Sequence, residues 1–386
     1  MSACLEPLWA HFKGRLVQSL RQKLGAAAIK AALAESGAAA DKVEQTVMGC
    51  VLPAGQGQAP ARQAAIYAGL GEHCEATTVN KMCGSGMQAT IMAHDSIKAG
   101  SIDVAVSGGM ENMTMAPYLL PKARGGMRMG DQAVVDSMMY DGLTDAYEGS
   151  AMGAFADMIA KEYQFTREQQ DAYAIESVRR AKAAQENGDF ERELTPVTVK
   201  GRKGDTVVTE DEGPKNARPE KIPSLRAVFS KDGTVTAANA SSINDGAAAL
   251  VLMRKSDAEK GGHKVIAEII SHAAHAHAPA YFTTAPVHAM KKALKKADWE
   301  ASDVDLWEIN EAFAVVPMIA MQELGLDHDK VNVNGGACVL GHPIGASGAR
   351  IMATLIAAME KRDAKTGVAS LCIGGGEATA ICLKRA

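Results

Sequence analysis

The segment that decides the fold of this chain is Val79-Asn80-Lys81-Met82-Cys83-Gly84-Ser85-Gly86-Met87-Gln88. A short β-prone stretch, 76–80, leads into the cysteine, and a helix-forming run follows the Gly-Ser-Gly sequence. Cys83 is therefore predicted to lie at a strand-to-helix turn, with its sulfur near a helix N-terminus. The free amide N–H groups and the positive end of the helix dipole favour a thiolate there. Cys83 is thus a candidate nucleophile for covalent catalysis; the alternative is a buried structural cysteine.

Three further segments carry polar groups suited to acyl chemistry. They are 307–313 (WEINEAF), 335–348 (GGACVLGHPIGASG) and 372–377 (CIGGGE). These segments supply a base, His342, a second thiol, Cys372, and an amide, Asn310, together with Gly-rich turns that offer free backbone N–H groups. With Cys83, these groups suffice for acyl transfer through a thioester.

The chain also contains an internal repeat. Residues 79–80 lead through a Cys/Gly turn and a helix to segment 102–111, and residues 333–334 lead through a Gly/Cys/His turn and a helix to segment 368–377. Both halves therefore read as strands alternating with helices, which is the pattern of mostly parallel sheets covered by helices. Packing the two halves together would place the first cysteine near the histidine and cysteine of the second half.

The segments around Cys83, Asn310, His342 and Cys372 resemble the four signature blocks of the thiolase family, in the same order, and the resemblance covers about residues 25 to 386. It is strongest to the biosynthetic subgroup, the acetyl-CoA acetyltransferases. The resemblance implies an α/β protein with the thiolase fold, in which two similar α/β halves form five α-β-α-β-α layers with an inserted loop domain. The expected domains are an N-terminal half, 1–111, completed by about 241–260; a loop domain, 112–240, for CoA binding and tetramer contacts; and a C-terminal half, 261–386.

The resemblance further implies an acetyl-CoA C-acetyltransferase. Such an enzyme condenses two acetyl-CoA molecules to acetoacetyl-CoA and CoA, and catalyses the reverse thiolysis, through an acetyl-cysteine intermediate. Cys83 would be acetylated, His342 would take its proton, and Cys372 would move a proton at the α-carbon of the second acetyl-CoA. One oxyanion hole is expected from His342 and a water held by Asn310, and the other from the backbone N–H groups of Cys83 and Gly374.

Positions expected to line the CoA channel match the family less completely. They are Leu143, Met152, Ala237, Ser241, Phe282, Ala312 and Phe313. Lys215 and Arg218 are either phosphate contacts or part of a solvated loop. Because CoA arrives as part of the substrate, no separate cofactor is expected.

Segment 120–130 resembles the loop that assembles biosynthetic thiolases, so a homotetramer is expected.

Composition narrows the possible partners and the compartment. The 386 residues carry a net charge of −4, which argues against nucleic acid, and no apolar run reaches transmembrane length, so no membrane association is expected. Seven cysteines without C-x-x-C spacing indicate a reducing compartment, and we expect the cytoplasm. His272, His275 and His277 fit no helix face, and no local carboxylate or cysteine joins them, so the spacing predicts no metal site.

The first 24 residues depart from the family. Their apolar residues recur at spacings of three and four among basic ones, which predicts an amphipathic helix; they are Leu5, Leu8, Trp9, Phe12, Leu16, Leu20 and Leu24. The resemblance instead implies an opening strand in the middle of the first sheet. We therefore expect residues 1–24 to be helical or irregular, as an altered start or, alternatively, a targeting peptide.

Three alternative functions follow from these observations. The first is a 3-ketoacyl-CoA thiolase of broader chain length, against which the biosynthetic-like loop argues. The second is a condensing enzyme of the ketoacyl synthase type, which would use Cys-His-His and lack a base like Cys372. The third is a catalytically impaired, acyl-CoA-binding thiolase homologue, because the altered start would weaken the scaffold under Cys83.

Overall fold

The computed structural model describes residues 8–11, 21–200 and 204–386. Its strands are β1 Leu8–His11, β2 Gln45–Gly49, β3 Glu75–Val79, β4 Val104–Asn112, β5 Tyr118–Leu119, β6 Val135–Asp136, β7 Val197–Val199, β8 Thr206–Val208, β9 Asn244–Met253, β10 Ala267–Ala276, β11 Leu306–Ile309, β12 Thr366–Ile373 and β13 Glu377–Arg385. Its α-helices are α1 Arg21–Ser36, α2 Pro60–Ala68, α3 Ser85–Ala99, α4 Met152–Glu162, α5 Arg167–Glu186, α6 Glu212–Asn216, α7 Lys255–Lys260, α8 Ala285–Ala297, α9 Val315–Leu324, α10 Ala337–Leu340 and α11 Ser347–Lys361.

The first large sheet has the strand order β1-β9-β4-β2-β3. Strands β3, β2 and β4 are parallel, while β9 runs antiparallel to both β4 and β1. The three parallel strands end on the same side of the sheet, so the turn after β3 that carries Cys83 lies at their carboxyl ends. This is the edge of an α/β sheet where ligand sites usually form.

The second large sheet repeats this arrangement with the order β10-β13-β12-β11. Strand β11 is parallel to β12, and β13 is antiparallel to its neighbours β10 and β12. The counterpart of β3 is reduced to a single bridge between Trp307 and Val331. The internal repeat predicted from the sequence is therefore present in the strand order of both sheets.

The helices and the two sheets form five layers. Helices α1 and α2 cover the outer face of the first sheet, and α8 and α9 cover the outer face of the second. Helices α3 and α11 pack against each other between the sheets, where the residues that contact them form a continuous apolar core. The predicted α-β-α-β-α order is confirmed.

The N-termini of the two central helices approach each other closely. A Cβ atom added to Gly86 of α3 would lie 2.8 Å from the backbone nitrogen of Ala349, and one added to Gly348 of α11 would lie 2.3 Å from that of Met87. Contacts this short exclude any side chain, so glycine is required at both crossing points. The close approach brings the Cys83 turn of the first half next to the segment of the second half that contains His342.

The prediction for the first 24 residues is wrong for one segment and confirmed for another. Residues Leu8–His11 form a strand, where a helix or irregular chain was expected, but this strand lies at the edge of the first sheet beside β9 and, as predicted, not in its middle. Residues 21–24 are helical, as expected: they form the first turn of α1, where Leu24 packs into the core of the first half. An edge strand hydrogen-bonds to one neighbour only, so a short segment without a strong β pattern can occupy it. The remainder of the predicted helix, in 1–7 and 12–20, lies outside the described residues.

Residues 113–240 include short elements that stand apart from the two large sheets. Strands β5 and β6 pair with each other, as do β7 and β8, each pair forming a separate two-stranded ribbon. Helices α4 and α5 are the longest elements of this segment, and α5 begins with a capping box formed by Thr166 and Gln169. Within the described ranges, no helix has the length and apolarity needed to cross a membrane.

Candidate active site

Cys83 lies at the turn between β3 and α3, as predicted, and its neighbours fix the shape of that turn. The hydroxyl of Ser85 accepts a hydrogen bond from the backbone N–H of Lys81 at 2.8 Å and donates one to the carbonyl of Met82 at 2.6 Å. Met82 itself has a φ of +47°, an uncommon value for a residue with a side chain. The turn is therefore tightly held, and strained immediately before the thiol.

The thiol of Cys83 contacts groups from the second half of the chain. The backbone N–H of Gly374 hydrogen-bonds to it, and Cys372 lies close enough to interact with it electrostatically. Burial nevertheless outweighs the hydrogen bond and raises the pKa of the Cys83 thiol to about 11. Burial therefore opposes the thiolate that the helix N-terminus favours.

Cys372 is the penultimate residue of β12 and is fully buried. Burial, followed by the neighbouring Cys83, raises the pKa of the Cys372 thiol well above its usual range. The Gly374-Gly375-Gly376 turn connects β12 to β13, and Glu377 after it forms an ion pair with Lys81 on the Cys83 turn. This ion pair joins the turn that contains Cys83 to the residue that follows the 374–376 turn, across the interface between the halves.

His342 is held in one orientation by the segment that follows it. Its Nδ1 atom lies 2.6 Å from the hydroxyl of Ser347, and that hydroxyl donates to the carbonyl of Pro343 at 2.9 Å. Because the only proton of the hydroxyl is used in this way, Nδ1 must carry the hydrogen and donate to Ser347, which leaves Nε2 as the basic nitrogen. Burial, together with the positive charge of Arg350, lowers the pKa of His342 to about 3, so the ring is neutral at neutral pH.

Asn310 follows the end of β11 and lies against the ring of His342. Its amide nitrogen is 3.5 Å from each of the two ring nitrogens, and its backbone N–H donates to the carbonyl of Ser370 at 3.0 Å. The side-chain oxygen is buried and accepts no hydrogen bond from any residue that the structure describes. A buried oxygen without a protein donor is suited to bind a water molecule.

The segment after His342 also packs against the Cys83 turn. Ile344 belongs to a small apolar cluster against which both Met82 and Cys83 pack. The carbonyl oxygen of Gly345 approaches the first sheet so closely that a Cβ on Gly109 would lie 2.1 Å from it. The structure thus gathers the five predicted catalytic positions at the interface between the halves, in two hydrogen-bonded groups: Cys83 with Gly374, and His342 with Asn310.

The predicted CoA-lining residues surround this interface. Leu143 packs against the same cluster as Cys83, and the sulfur of Met152 lies 3.3 Å from the position of a Cβ on Gly374. The rings of Phe282 and Phe313 are in edge contact, with centroids 6.2 Å apart.

The segment that contains Ser241 joins this group through the backbone. Its N–H donates to the carbonyl of Ala312 at 2.9 Å, and the carbonyl of the next residue, Ser242, accepts from the N–H of His342 at 3.2 Å. These backbone hydrogen bonds connect the predicted lining residues Ser241 and Ala312 to the segment that contains His342.

Ala237 lines a pocket of about 470 Å³ that also includes Ser242. Arg218 and Lys221 line the same pocket and place positive charge in it. Lys215 does not line it, and its backbone carbonyl accepts a hydrogen bond from Arg218 at 3.3 Å. Pockets of this size hold small-molecule ligands.

A second cavity, of about 290 Å³, has the opposite character. It is lined by Glu191, Glu193 and Glu210, whose carboxylates would repel an anionic ligand. The larger pocket is therefore the better candidate for a phosphate-bearing ligand.

Two residues that position the site were not singled out in the sequence. Ser347 sets the tautomer of His342 and lies within the same Gly-rich segment, five residues further on. Glu311 is fully buried and accepts hydrogen bonds from Tyr173, Ser177 and the backbone N–H of Cys338. The sequence could have indicated Glu311, which directly follows Asn310, because a carboxylate in an apolar segment needs hydrogen-bond partners.

Comparison with known proteins identifies the family. Residues 3–256 match the thiolase N-terminal domain and residues 263–385 match the thiolase C-terminal domain. The chain is 48% identical over 376 residues to the acetyl-CoA acetyltransferase of Cupriavidus necator, covering 97% of this chain and 96% of that protein. It is 47% identical to the acetyl-CoA acetyltransferase of Schizosaccharomyces pombe, covering 100% and 98%.

A solved structure agrees with these relatives. The crystal structure of the Acat5 thiolase from Ascaris suum in complex with coenzyme A superposes with a TM-score of 0.94 at 44% identity, over 100% of this chain and 98% of that one. The two family domains together span nearly all of the sequence. The relatives and the solved structure also match over nearly their full length. This chain belongs to the thiolase family.

Proposed function

We propose that this thiolase is an acetyl-CoA C-acetyltransferase, which condenses two acetyl-CoA molecules to acetoacetyl-CoA and CoA and catalyses the reverse thiolysis. The observation that carries the proposal is that the Cys83 thiol interacts with the Cys372 thiol, while the segment that follows the neutral imidazole of His342 packs against Cys83 through Ile344. Full-length relatives at 46–48% identity bear the same name, acetyl-CoA acetyltransferase.

The first half-reaction acetylates Cys83. Since burial raises the pKa of its thiol to about 11 and lowers the pKa of His342 to about 3, both groups are uncharged at neutral pH. The thiol proton therefore passes to Nε2 of His342 as the sulfur attacks the thioester carbonyl, and then to the departing CoA sulfur. A neutral resting pair avoids burying a thiolate and an imidazolium before substrate arrives.

The carbonyl oxygens that become negative need hydrogen-bond donors. The backbone N–H groups of Cys83 and Gly374 are assigned to the oxygen of the acetyl group carried by the sulfur; the hydrogen bond from Gly374 to the thiol supports this assignment. His342 and a water bound by Asn310 are assigned to the oxygen of the second thioester. The buried, unpartnered side-chain oxygen of Asn310 supports the presence of that water.

Cys372 acts in the step that forms or breaks the carbon–carbon bond. In thiolysis its S–H gives a proton to the α-carbon of the departing acetyl-CoA enolate as the carbon–carbon bond of acetoacetyl-CoA breaks. In condensation Cys372 first gives its proton to the neutral His342, and the resulting thiolate removes a proton from the α-carbon of acetyl-CoA. The carbanion attacks the acetylated Cys83, and the imidazolium of His342 returns its proton to the Cys83 sulfur as that sulfur leaves. The raised pKa of the Cys372 thiol keeps it protonated at rest, so the unliganded enzyme is prepared for thiolysis.

CoA is proposed to extend from the thiols toward the pocket beside α6. Ser241, Ala312, Met152 and Leu143 surround the reacting end, while Ala237 leads into the pocket that Arg218 lines. The guanidinium group suits the phosphates of CoA. CoA enters as part of the substrate, and the proposed steps require no separate cofactor.

Phe282 is proposed to limit the acyl chain. It exposes only 2% of its surface, and its ring is packed at right angles against Phe313. A rigid aromatic wall at this position accommodates a short acyl group and opposes a longer one. The broader-chain alternative is accordingly not favoured.

A homotetramer is proposed from segment 120–130 and the residues that flank it in 118–147. Large apolar side chains are exposed along it, among them Tyr118, Leu120, Met127 and Met129, the last of which is completely exposed. Such a concentration of apolar surface indicates a protein–protein interface. The cytoplasm is proposed as the compartment because the catalytic thiols must remain reduced.

The proposal is tested by steady-state thiolysis of acetoacetyl-CoA with purified protein, beside a Cys83→Ala control and a longer 3-ketoacyl-CoA. We expect turnover of acetoacetyl-CoA that the substitution abolishes, and much weaker turnover of the longer substrate. Absence of turnover in a protein with a cooperative melting transition would support the impaired homologue. Equal turnover of both substrates would support the broader-chain thiolase.

A further inference from the structure

The outer edge of the second half carries a group of three histidines that is separate from the proposed catalytic residues. His275 lies in β10, His277 follows the end of that strand, and His288 is in the first turns of α8. One nitrogen from each ring lies within 4.8 Å of the others. We propose that His275, His277 and His288 form a binding site for a divalent transition-metal ion of the zinc class.

The ring positions fit a shared metal ion. Their centroids are 4.5 Å apart for His275 and His288, 5.0 Å for His275 and His277, and 5.7 Å for His277 and His288. Three imidazoles on one tetrahedral zinc, with zinc–nitrogen bonds near 2.0–2.1 Å, have centroids roughly 5 Å apart. The stacked His288 ring must turn toward the others, and its exposed position on α8 leaves it free to do so.

His277 is oriented as metal-binding histidines usually are. Its Nε2–H donates to the backbone carbonyl of Tyr281 at 2.8 Å, so Nδ1 holds the free lone pair. A hydrogen bond from the second ring nitrogen to a carbonyl is the usual support for a ligating imidazole. This orientation follows from the loop between β10 and α8 and requires no metal to form.

A lysine side chain occupies part of the space that the ion would take. The ammonium group of Lys292 lies 3.1 Å from Nδ1 of His275 and must move aside when the ion binds.

The ligand set selects the class of ion. Three imidazole nitrogens suit Zn²⁺, Ni²⁺ or Cu²⁺, whereas Mg²⁺ and Ca²⁺ require oxygen ligands. The sequence spacing does not indicate this site, because His288 is eleven residues beyond His277 and lies near it only in the folded chain. His272, which the sequence groups with His275, instead contacts His94 and Asp95.

A bound ion would join strand β10 to helix α8 close to the catalytic turn. The backbone N–H of His277 donates to the carbonyl of Gly376 at 2.9 Å, and Gly376 belongs to the turn that follows Cys372. The proposed site is thus one hydrogen bond away from the catalytic turn, and the three imidazoles take no part in the proposed acyl transfer.

The test measures Zn²⁺ affinity of the tag-free protein by competition with a chromophoric zinc indicator. His288→Ala should bind one zinc fewer than the unaltered protein, or bind it at least about tenfold more weakly. His73→Ala removes an exposed histidine elsewhere and should bind as the unaltered protein does. Lys292→Gln should bind more tightly, since it removes the competing ammonium group.

Comparison among the variants also excludes other zinc sites. Any zinc bound by the cysteine thiols is bound equally by all the variants, so it does not contribute to the difference in zinc affinity between His288→Ala and the unaltered protein. Equal binding by His288→Ala and the unaltered protein would overturn the proposal. Loss of the zinc in His272→Ala but not in His288→Ala would also overturn it, and would place the ion at His94, Asp95 and His272.

Discussion

At the scale of single residues, the site depends on two opposite pKa shifts with one cause. Burial raises the pKa of the Cys83 thiol to about 11 and lowers the pKa of His342 to about 3. Each shift disfavours the charged form, so the pair is neutral until the carbonyl carbon accepts the sulfur. The histidine is ready to accept the proton because Ser347 keeps the hydrogen on Nδ1.

The raised pKa of Cys83 predicts its reactivity toward iodoacetamide. Only the thiolate is alkylated, so the rate should increase about tenfold per pH unit from pH 7 to pH 10 and should not level off in that range. Mass spectrometry of the Cys83 peptide at timed intervals measures the rate. A rate that levels off below pH 9 would show that the thiolate is stabilised, as the helix N-terminus alone would predict.

Cys372 is expected to act in one half-reaction only. Cys372→Ser should lower the condensation rate by at least about a hundredfold, because a hydroxyl is a far weaker acid than a thiol and does not ionise to supply the base that the step at carbon requires. Acetylation of Cys83 should be nearly unchanged, since no proton moves at carbon in that step. Rapid-quench measurement of both steps distinguishes them, and an equal loss in both would contradict the assigned role.

At the scale of secondary-structure elements, the site depends on the close crossing of α3 and α11. Gly86→Ala would place a Cβ 2.8 Å from the backbone nitrogen of Ala349. A backbone atom cannot move aside as the end of a flexible side chain can. We expect a loss of stability of about 1–3 kcal/mol and a larger fractional loss of activity, because the Cys83 turn must shift.

Ala99→Ser is the matched control for this substitution. It adds one heavy atom to an exposed residue of the same helix, α3, so this variant should melt and turn over nearly as the unaltered protein does. Thermal denaturation and thiolysis rates measure both effects. Unchanged stability and activity of Gly86→Ala would show that the crossing does not position the thiol.

At the scale of the whole molecule, the exposed apolar loop predicts a dimer of dimers. Light scattering at micromolar concentration should give the mass of a tetramer, and Met129→Glu should reduce it to a dimer by placing a charge in the interface. Val207→Glu alters another exposed apolar residue outside this loop and should leave the tetramer intact. A dimer of the unaltered protein would contradict the proposed assembly.

The layered fold was predictable because its signals are local and repeated. Strand and helix patterns in 79–111 recur in 333–377, and three of the four motifs, those with Cys83, Asn310 and Cys372, join a strand to a turn. The place of β1 was not predictable in this way. Whether a strand lies at an edge or in the middle of a sheet depends on pairings distant in sequence, here with β9 more than 230 residues away.

The chemical types at the site were likewise predictable, but their protonation was not. Residue identity and the preceding strand indicate that Cys83 lies at a helix N-terminus, as found. The pKa of its thiol depends on how deeply the second half buries it, and no local pattern reports that burial. The histidine group has the same limitation, because His288 approaches His275 and His277 only in the folded chain.

The central claim is that Cys83 carries the acyl group, and its direct test is covalent. The purified protein is incubated with acetyl-CoA, digested at low pH and analysed by peptide mass spectrometry. One acetyl group should appear on Cys83, and His342→Ala should slow its appearance by about 10²–10⁴-fold. Acetylation of Cys338 or Cys50 in place of Cys83 would contradict the account.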